Sequence, residues 1–304
     1  MEYVLETNNL EKKYKNFNAI SNLNIHVEKG AIYGLIGKNG AGKTTLIRLI
    51  CGLQNPTKGT YSIYGINNKD KNILETRKRI GAIIEYPSIY MDMSAKDNLI
   101  EQYKIIGMPS YDGINELLKL VGLENVEKKK AKNFSLGMKQ RLGIAICLAS
   151  KPDFLILDEP INVLDPQGII EIRELIIDLN KKENITILIS SHYLDELSKI
   201  ATHYGFLDKG TIIKEISSGE LNEKTQRKIE LKVSNLNECV KYLELNKISY
   251  EVINSKKLNI YGNINISNII LGLSKINCVI EEMHEKNESL ENYYMNLIGG
   301  DKNV

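Results

Sequence analysis

The sequence predicts an α/β fold built on a largely parallel sheet, with a smaller α+β domain behind it, and three observations predict this. Short runs rich in Ile, Val and Tyr recur through the first two-thirds of the chain, at 31–36, 61–64, 154–157, 185–190 and 203–207, each of strand length. Helical patterns such as 43–53 and 168–180 lie between several of them, and that alternation is how strands are laid parallel by helical crossovers. Near 217–224 the text turns to SSGELNEK, turn residues mixed with charge, which marks a domain boundary.

The early, hairpin-like strands form a separate antiparallel piece in this reading. From 94 to 149 helical periodicity dominates, and Ser94 with Asp97 reads as a capping pair, so this stretch is a helical insertion in the α/β domain. The main domain then covers 1–220 and the accessory domain 221–304. The tail reads as strand (227–233), helix (236–246), two strands (250–253 and 258–261), helix (266–275) and strand (279–284), an order that suits a small βαββαβ sandwich.

Composition bounds the function classes. With 304 residues, 42% apolar and 26% charged, the chain can bury a sizeable core without disulfides or metals. A net charge of +2, with a tail whose charges cancel, offers no footprint for nucleic acid. Cys51, Cys147, Cys239 and Cys278 form no CxxC pair, so no zinc site or disulfide framework is expected and a reducing compartment suits them. The charged first fifteen residues lack the apolar core of a signal peptide, which predicts a cytoplasmic protein. No run of 18 apolar residues occurs, so any membrane role must use a partner chain.

The strongest chemical signal is Gly37-Lys38-Asn39-Gly40-Ala41-Gly42-Lys43-Thr44, which fits GxxxxGK[ST] between a predicted strand and a predicted helix. Such a P-loop curls so that backbone N–H groups face phosphate oxygens, and the following helix adds its positive end. Lys43 then reaches the β and γ phosphates, Thr44 ligates magnesium, and Thr45 completes the nucleotide-binding set. A chance glycine-rich turn is the bland alternative, and the full match in this context weighs against it.

Farther on, Phe154-Leu155-Ile156-Leu157 precedes Asp158 and Glu159. A buried strand of this kind delivers Asp158 to the magnesium, and Glu159, one residue beyond, can polarise the attacking water as a general base. An Asp-Glu pair alone is commonplace in loops. The P-loop lysine 115 residues earlier changes its weight.

Phe134-Ser135-Leu136-Gly137-Met138, followed by Lys139-Gln140-Arg141, resembles the signature of ABC transporter ATPase subunits, usually Leu-Ser-Gly-Gly-Gln. Ser135 and Gly137 match, whereas Leu136 and Met138 depart from the common form. Other elements of that family follow in order: Asn162-Val163-Leu164-Asp165 resembles the D-loop, Ser190-Ser191-His192 the switch histidine, and Tyr14 the aromatic that stacks on adenine. Taken alone, Ser135 is a helix cap, His192 a surface or core histidine and Tyr14 an ordinary half-buried tyrosine. The resemblance spans about residues 3–220.

It implies a P-loop ABC ATPase domain using ATP and Mg²⁺, with His192 sensing the γ-phosphate. It also implies a homodimer or paired ATPase subunits in which each ATP lies between Lys43 of one chain and Ser135 of the other. Integral membrane permease subunits would be gripped through the helical insertion, placing the chain peripherally on the inner face of the membrane.

Where the family carries a glutamine beside the nucleotide, Ile83-Ile84-Glu85-Tyr86-Pro87 has Glu85, whose oxygens can still bind magnesium. This departure, with the FSLGMKQRLGIA form of the signature, resembles the bacitracin-resistance and lantibiotic-immunity exporters, implying a peptide-antibiotic cargo. The alternatives are a multidrug or ion exporter ATPase, and a non-transport ABC ATPase such as a translation factor or DNA-repair protein. The single ATPase domain and the neutral tail oppose the non-transport class. A regulatory module without turnover is opposed by intact Lys43, Asp158, Glu159 and His192.

Overall fold

The computed structural model describes residues 2–126, 128–225, 228–262, 265–286 and 290–299. The chain divides into two compact units, Met1–Ser218 and Gly219–Val304.

The first unit is built on a six-stranded sheet in the order Thr211–Ser217, His203–Asp208, Ile32–Ile36, Thr186–Ser191, Phe154–Asp158, Ile80–Ile83. Every neighbouring pair is parallel except the outermost, where Thr211–Ser217 turns back on His203–Asp208. The three central strands, Ile32–Ile36, Thr186–Ser191 and Phe154–Asp158, are buried at every position. That is why they read as continuous apolar runs: a parallel sheet is covered on both faces, so period-two alternation vanishes. The antiparallel piece is a second sheet of five strands, Tyr3–Tyr14, Phe17–Leu23, His26–Glu28, Lys58–Ile63 and Ile66–Asn67. Its inner face shares one core with the helix after the P-loop, where Leu46, Ile47, Leu49 and Ile50 are fully buried. Truncating one of these to alanine costs about 2–5 kcal/mol.

Within 94–149 the helices are Ala95–Ile105, Ile114–Leu120 and Leu136–Leu148, with two short 3₁₀ turns. The Ser94–Asp97 capping box is formed in both directions. The element also contains an isolated antiparallel bridge, Ser94 to Lys130.

Four motifs reach one edge of the main sheet because four neighbouring parallel strands end there. The register pairs Ile36 with Ser191, Asp158 with Ser190, and Ile83 with Leu157. The P-loop, His192, Asp158–Glu159 and Glu85 therefore all leave the carboxyl ends of adjacent strands, the place where open α/β sheets bind ligands.

The second unit has a four-stranded antiparallel sheet in the order Tyr250–Val252, Lys257–Tyr261, Lys228–Val233, Ile280–Lys286. The helices Leu236–Leu245 and Ile266–Lys275 pack on it around Ile229, Leu231, Leu243, Leu258, Ile260 and Leu273. This is the ferredoxin-like split βαβ arrangement. Arg227, expected to open the first strand, lies outside the described residues.

Two helices depart from the sequence reading. Ser218–Thr225 is helical rather than a turn, with Leu221 buried and Glu220 in the first turn where the helix dipole favours an acid. Leu290–Ile298 is a further helix, with Leu290 and Tyr294 buried one turn apart. All four cysteines are free, and burial pushes the thiols of Cys51, Cys147 and Cys239 up to about 12.

Candidate nucleotide site

The P-loop turns from the Ile32–Ile36 strand into the Lys43–Ile50 helix through Gly42, at φ +115°. A β-carbon at Gly42 would stand 2.7 Å from the Ala19 carbonyl oxygen, so only glycine fits. Lys38, Asn39 and Gly40 are exposed, while Gly37, Ala41 and Lys43 are buried and Thr44 and Thr45 half-buried. The helix N-terminus receives no side-chain cap. Uncapped N–H groups at such an end favour an anion.

Lys43 folds back onto the backbone of the loop. Its ammonium donates to the Gly37 carbonyl at 2.5 Å and the Lys38 carbonyl at 3.3 Å, and stands 3.1 Å from Glu159 Oε1. The Thr44 hydroxyl donates to Asp158 Oδ2 at 2.7 Å. Asp158 is 1% exposed, and its other oxygen accepts from the Ser190 hydroxyl at 2.5 Å. Ser190 also accepts from the Glu159 amide, at Oγ (3.0 Å) and at its carbonyl (3.2 Å). Glu159 Oε2 is 2.8 Å from His192 Nδ1. Lys43, Thr44, Asp158, Glu159, Ser190 and His192 thus form one hydrogen-bonded network.

The remaining expected residues stand outside that network. Tyr14 is partly exposed, its hydroxyl donates to Gln54 Oε1, and the Lys12 ammonium lies 5.2 Å from its ring centre. Ser135 caps its own helix, accepting from the Met138 amide at 3.2 Å, and Gly137 is buried in that helix's first turn. Glu85, with a half-exposed side chain, accepts from Arg48 Nη2 at 2.7 Å.

A cleft of about 650 Å³ joins part of this set, lined by Thr44, Glu85, Asp158, Glu159, Leu136 and Gln140 among others. Glu85, Glu159 and Val163 all line it, and all three hold left-handed backbone, at φ +62°, +50° and +63°. For a β-branched residue such as Val163 this is an outlier, and strained backbone of this kind gathers at functional sites. Among the described residues no three His, Cys, Asp or Glu side chains form a metal cluster. The adjoining oxygens of Thr44 and Asp158 nevertheless suit Mg²⁺, which takes few protein ligands and fills its shell with water and phosphate.

Ser190 and Arg48 are the residues that sequence reasoning missed. The signal for Ser190 was present, a hydroxyl ending an apolar strand, but its partner lies 32 residues away in the chain.

A family model described as ABC transporter matches residues 20–162. The Bacitracin transport ATP-binding protein BcrA of Bacillus licheniformis is 41% identical, with 99% of each chain covered. This chain belongs to the ABC transporter family. The ABC protein is also 45% identical to the Lantibiotic transport ATP-binding protein SrtF of Streptococcus pyogenes, over 70% of this chain and 90% of that one. Among solved structures it resembles cbiO1 of Clostridium perfringens, part of the cbiONQ transporter complex, at a TM-score of 0.66 and 25% identity over 81% of this chain and 96% of that one. A dimeric, post-hydrolysis ATP-binding cassette bound to ADP and Pi matches at a TM-score of 0.62 and 26% identity, covering 70% of this chain and 98% of that one. The ABC protein is accordingly an ATP-binding ATPase subunit that powers transport, and among its described residues no helix is long and apolar enough to cross a membrane.

Proposed function

We propose that this ABC ATPase drives an exporter of a membrane-active peptide antibiotic, of the bacitracin or lantibiotic kind. It works as a head-to-tail pair on the inner face of the membrane, beneath separate permease subunits. The observation that carries the chemistry is the network joining Lys43, Glu159 and His192 to Thr44, Asp158 and Ser190. The cargo rests on likeness to bacitracin and lantibiotic transport proteins, and so on analogy.

ATP phosphates enter the P-loop, and Lys43 exchanges the Gly37 carbonyl and Glu159 for phosphate oxygens. That exchange frees the Glu159 carboxylate to orient a water. The water oxygen bonds to the γ-phosphorus as the bridge to the β-phosphate breaks, and the water proton passes toward Glu159. His192, 2.8 Å from that carboxylate, holds its orientation and reports the γ-phosphate. Thr44 and Asp158, with Glu85 on the same cleft, would hold a Mg²⁺, which would neutralise phosphate charge. Tyr14 stacks on adenine, and Ser135 and Gly137 face the partner's ATP.

Deleting the gene tests the cargo. Increased sensitivity to bacitracin or lantibiotics, with unchanged response to unrelated drugs and sodium stress, is the expected result. Unchanged peptide sensitivity with a drug or sodium phenotype would move the assignment to a multidrug or ion exporter.

A further inference from the structure

His192 is tied to its network at one ring atom. Its Nδ1 stands 2.8 Å from Glu159 Oε2, and among the described residues its Nε2 has no hydrogen-bond partner. A single bond of that kind fixes a distance and leaves the imidazole free to swing about it. The two ring nitrogens are distinct, so a ring that must keep Nδ1 on a carboxylate and offer Nε2 elsewhere needs a second constraint, applied to its face.

Tyr193 supplies a surface for that face. The two ring centres are 4.2 Å apart with 38° between the planes, a close and tilted contact. The tyrosine is not pressed there by a surrounding core, since it is 45% exposed and among the described residues its hydroxyl makes no hydrogen bond. The backbone on either side aims it. The Tyr193 amide donates to the Ser191 hydroxyl at 2.8 Å, and Ser191 is fully buried at the end of the Thr186–Ser191 strand. On the other side Leu194 and Leu197, both buried, anchor the short helix Leu194–Ser198. A half-exposed ring against an imidazole whose side chain is 30% exposed buries little apolar area, so the contact adds little to the stability of the fold. Its effect falls on the orientation of His192.

We infer that Tyr193 is a positioning residue for His192: its ring sets the plane of the imidazole, so that Nδ1 stays on Glu159 while Nε2 remains available to the γ-phosphate. This inference rests on the role proposed above for His192, and Tyr193 acts only through that ring.

The test compares Tyr193→Phe, which keeps the ring, with Tyr193→Leu, which keeps apolar bulk without it. In the full chain with ATP and Mg²⁺, Tyr193→Leu is expected to lower kcat about threefold to tenfold, with KM for ATP within about twofold of wild type and the thermal midpoint unchanged. Tyr193→Phe should keep kcat within about twofold of wild type. The stack is read separately, without turnover, in the NMR shifts of the imidazole carbon-bound protons. The chain has four histidines, so the His192 signals are assigned by their loss in His192→Asn. The ring current of Tyr193 displaces them, and they should move in Tyr193→Leu and stay in place in Tyr193→Phe.

Equal losses of kcat in Tyr193→Phe and Tyr193→Leu would assign the effect to the hydroxyl and overturn the inference, as would a raised KM alone or a His192 signal that does not move in Tyr193→Leu. His192→Asn separates the two readings. Wild-type turnover there would remove the role proposed for His192, and this inference with it, whereas a kcat lost in His192→Asn and unchanged in Tyr193→Leu would remove only the inference about Tyr193.

Discussion

Lys43 and Glu159 face each other as an ion pair, ammonium to carboxylate oxygen at 3.1 Å, with side-chain exposures of 6% and 18%. In the function proposed here, the ammonium that would grip phosphate and the carboxylate that would activate water are thus direct neighbours.

Lys43→Ala should reduce ATP turnover to background, because the ammonium at the β and γ phosphates is lost while no core atom is removed. Glu159 loses its neighbour, and stability should drop by about 1–3 kcal/mol with the fold retained. ATPase assays beside thermal denaturation check both parts. Wild-type turnover in the folded variant would contradict the P-loop assignment.

Glu159→Gln should keep ATP affinity and slow hydrolysis by roughly 10²–10⁴-fold, since the amide preserves shape but accepts no proton. ATP with Mg²⁺ should then trap a dimer on size-exclusion chromatography, and removing Mg²⁺ with a chelator should release it. A monomer with unchanged turnover is the opposing result.

Ser190→Ala removes the hydroxyl that donates to Asp158 and accepts from the Glu159 amide. Asp158 and Glu159 each lose a contact that aligns them, so under the proposed function kcat should fall about tenfold or more while KM for ATP stays near wild type. A KM effect without a kcat effect would show that Ser190 serves binding instead.

Glu85→Gln removes the charge facing Arg48. Both side chains are substantially exposed, 38% for Arg48 and 54% for Glu85, so stability should change by less than about 1 kcal/mol. Turnover of the purified protein should persist, while peptide resistance in cells falls. Loss of turnover equal to loss of resistance would place Glu85 in the chemistry rather than in coupling to the permease.

The chain divides into the compact units Met1–Ser218 and Gly219–Val304, so the second should be removable without unfolding the first. A chain ending at Ser218 should remain soluble and hydrolyse ATP. Its aggregation would instead make the tail a cover for an apolar face.

The main sheet was legible because Phe154–Asp158 and Thr186–Ser191 are buried on both faces, and that requirement is written directly into consecutive residues. The P-loop was legible because phosphate binding needs glycine at set spacings within eight residues. Ser218–Thr225 misled because its serine, glycine and charges are turn-like locally, while burial of Leu221 comes from elsewhere in the fold. Arg48 with Glu85, and Ser190 with Asp158, were hidden for a related reason: the partners are 37 and 32 residues apart, and neither residue type announces its contact. Ser135 and Tyr14 were found only through family resemblance, and their bonds within this chain are those of a helix cap and a ring fastened to Gln54.

The left-handed backbone at Glu159 and Val163 has a consequence for engineering. Each is held where glycine or asparagine would rest more easily, at a cost on the order of 1 kcal/mol or more. A library selected for heat resistance alone, with no demand for ATP turnover, should accumulate glycine or asparagine at these two positions and yield hardier, idle proteins. Selection for turnover should return the glutamate at 159 despite the discomfort of its backbone.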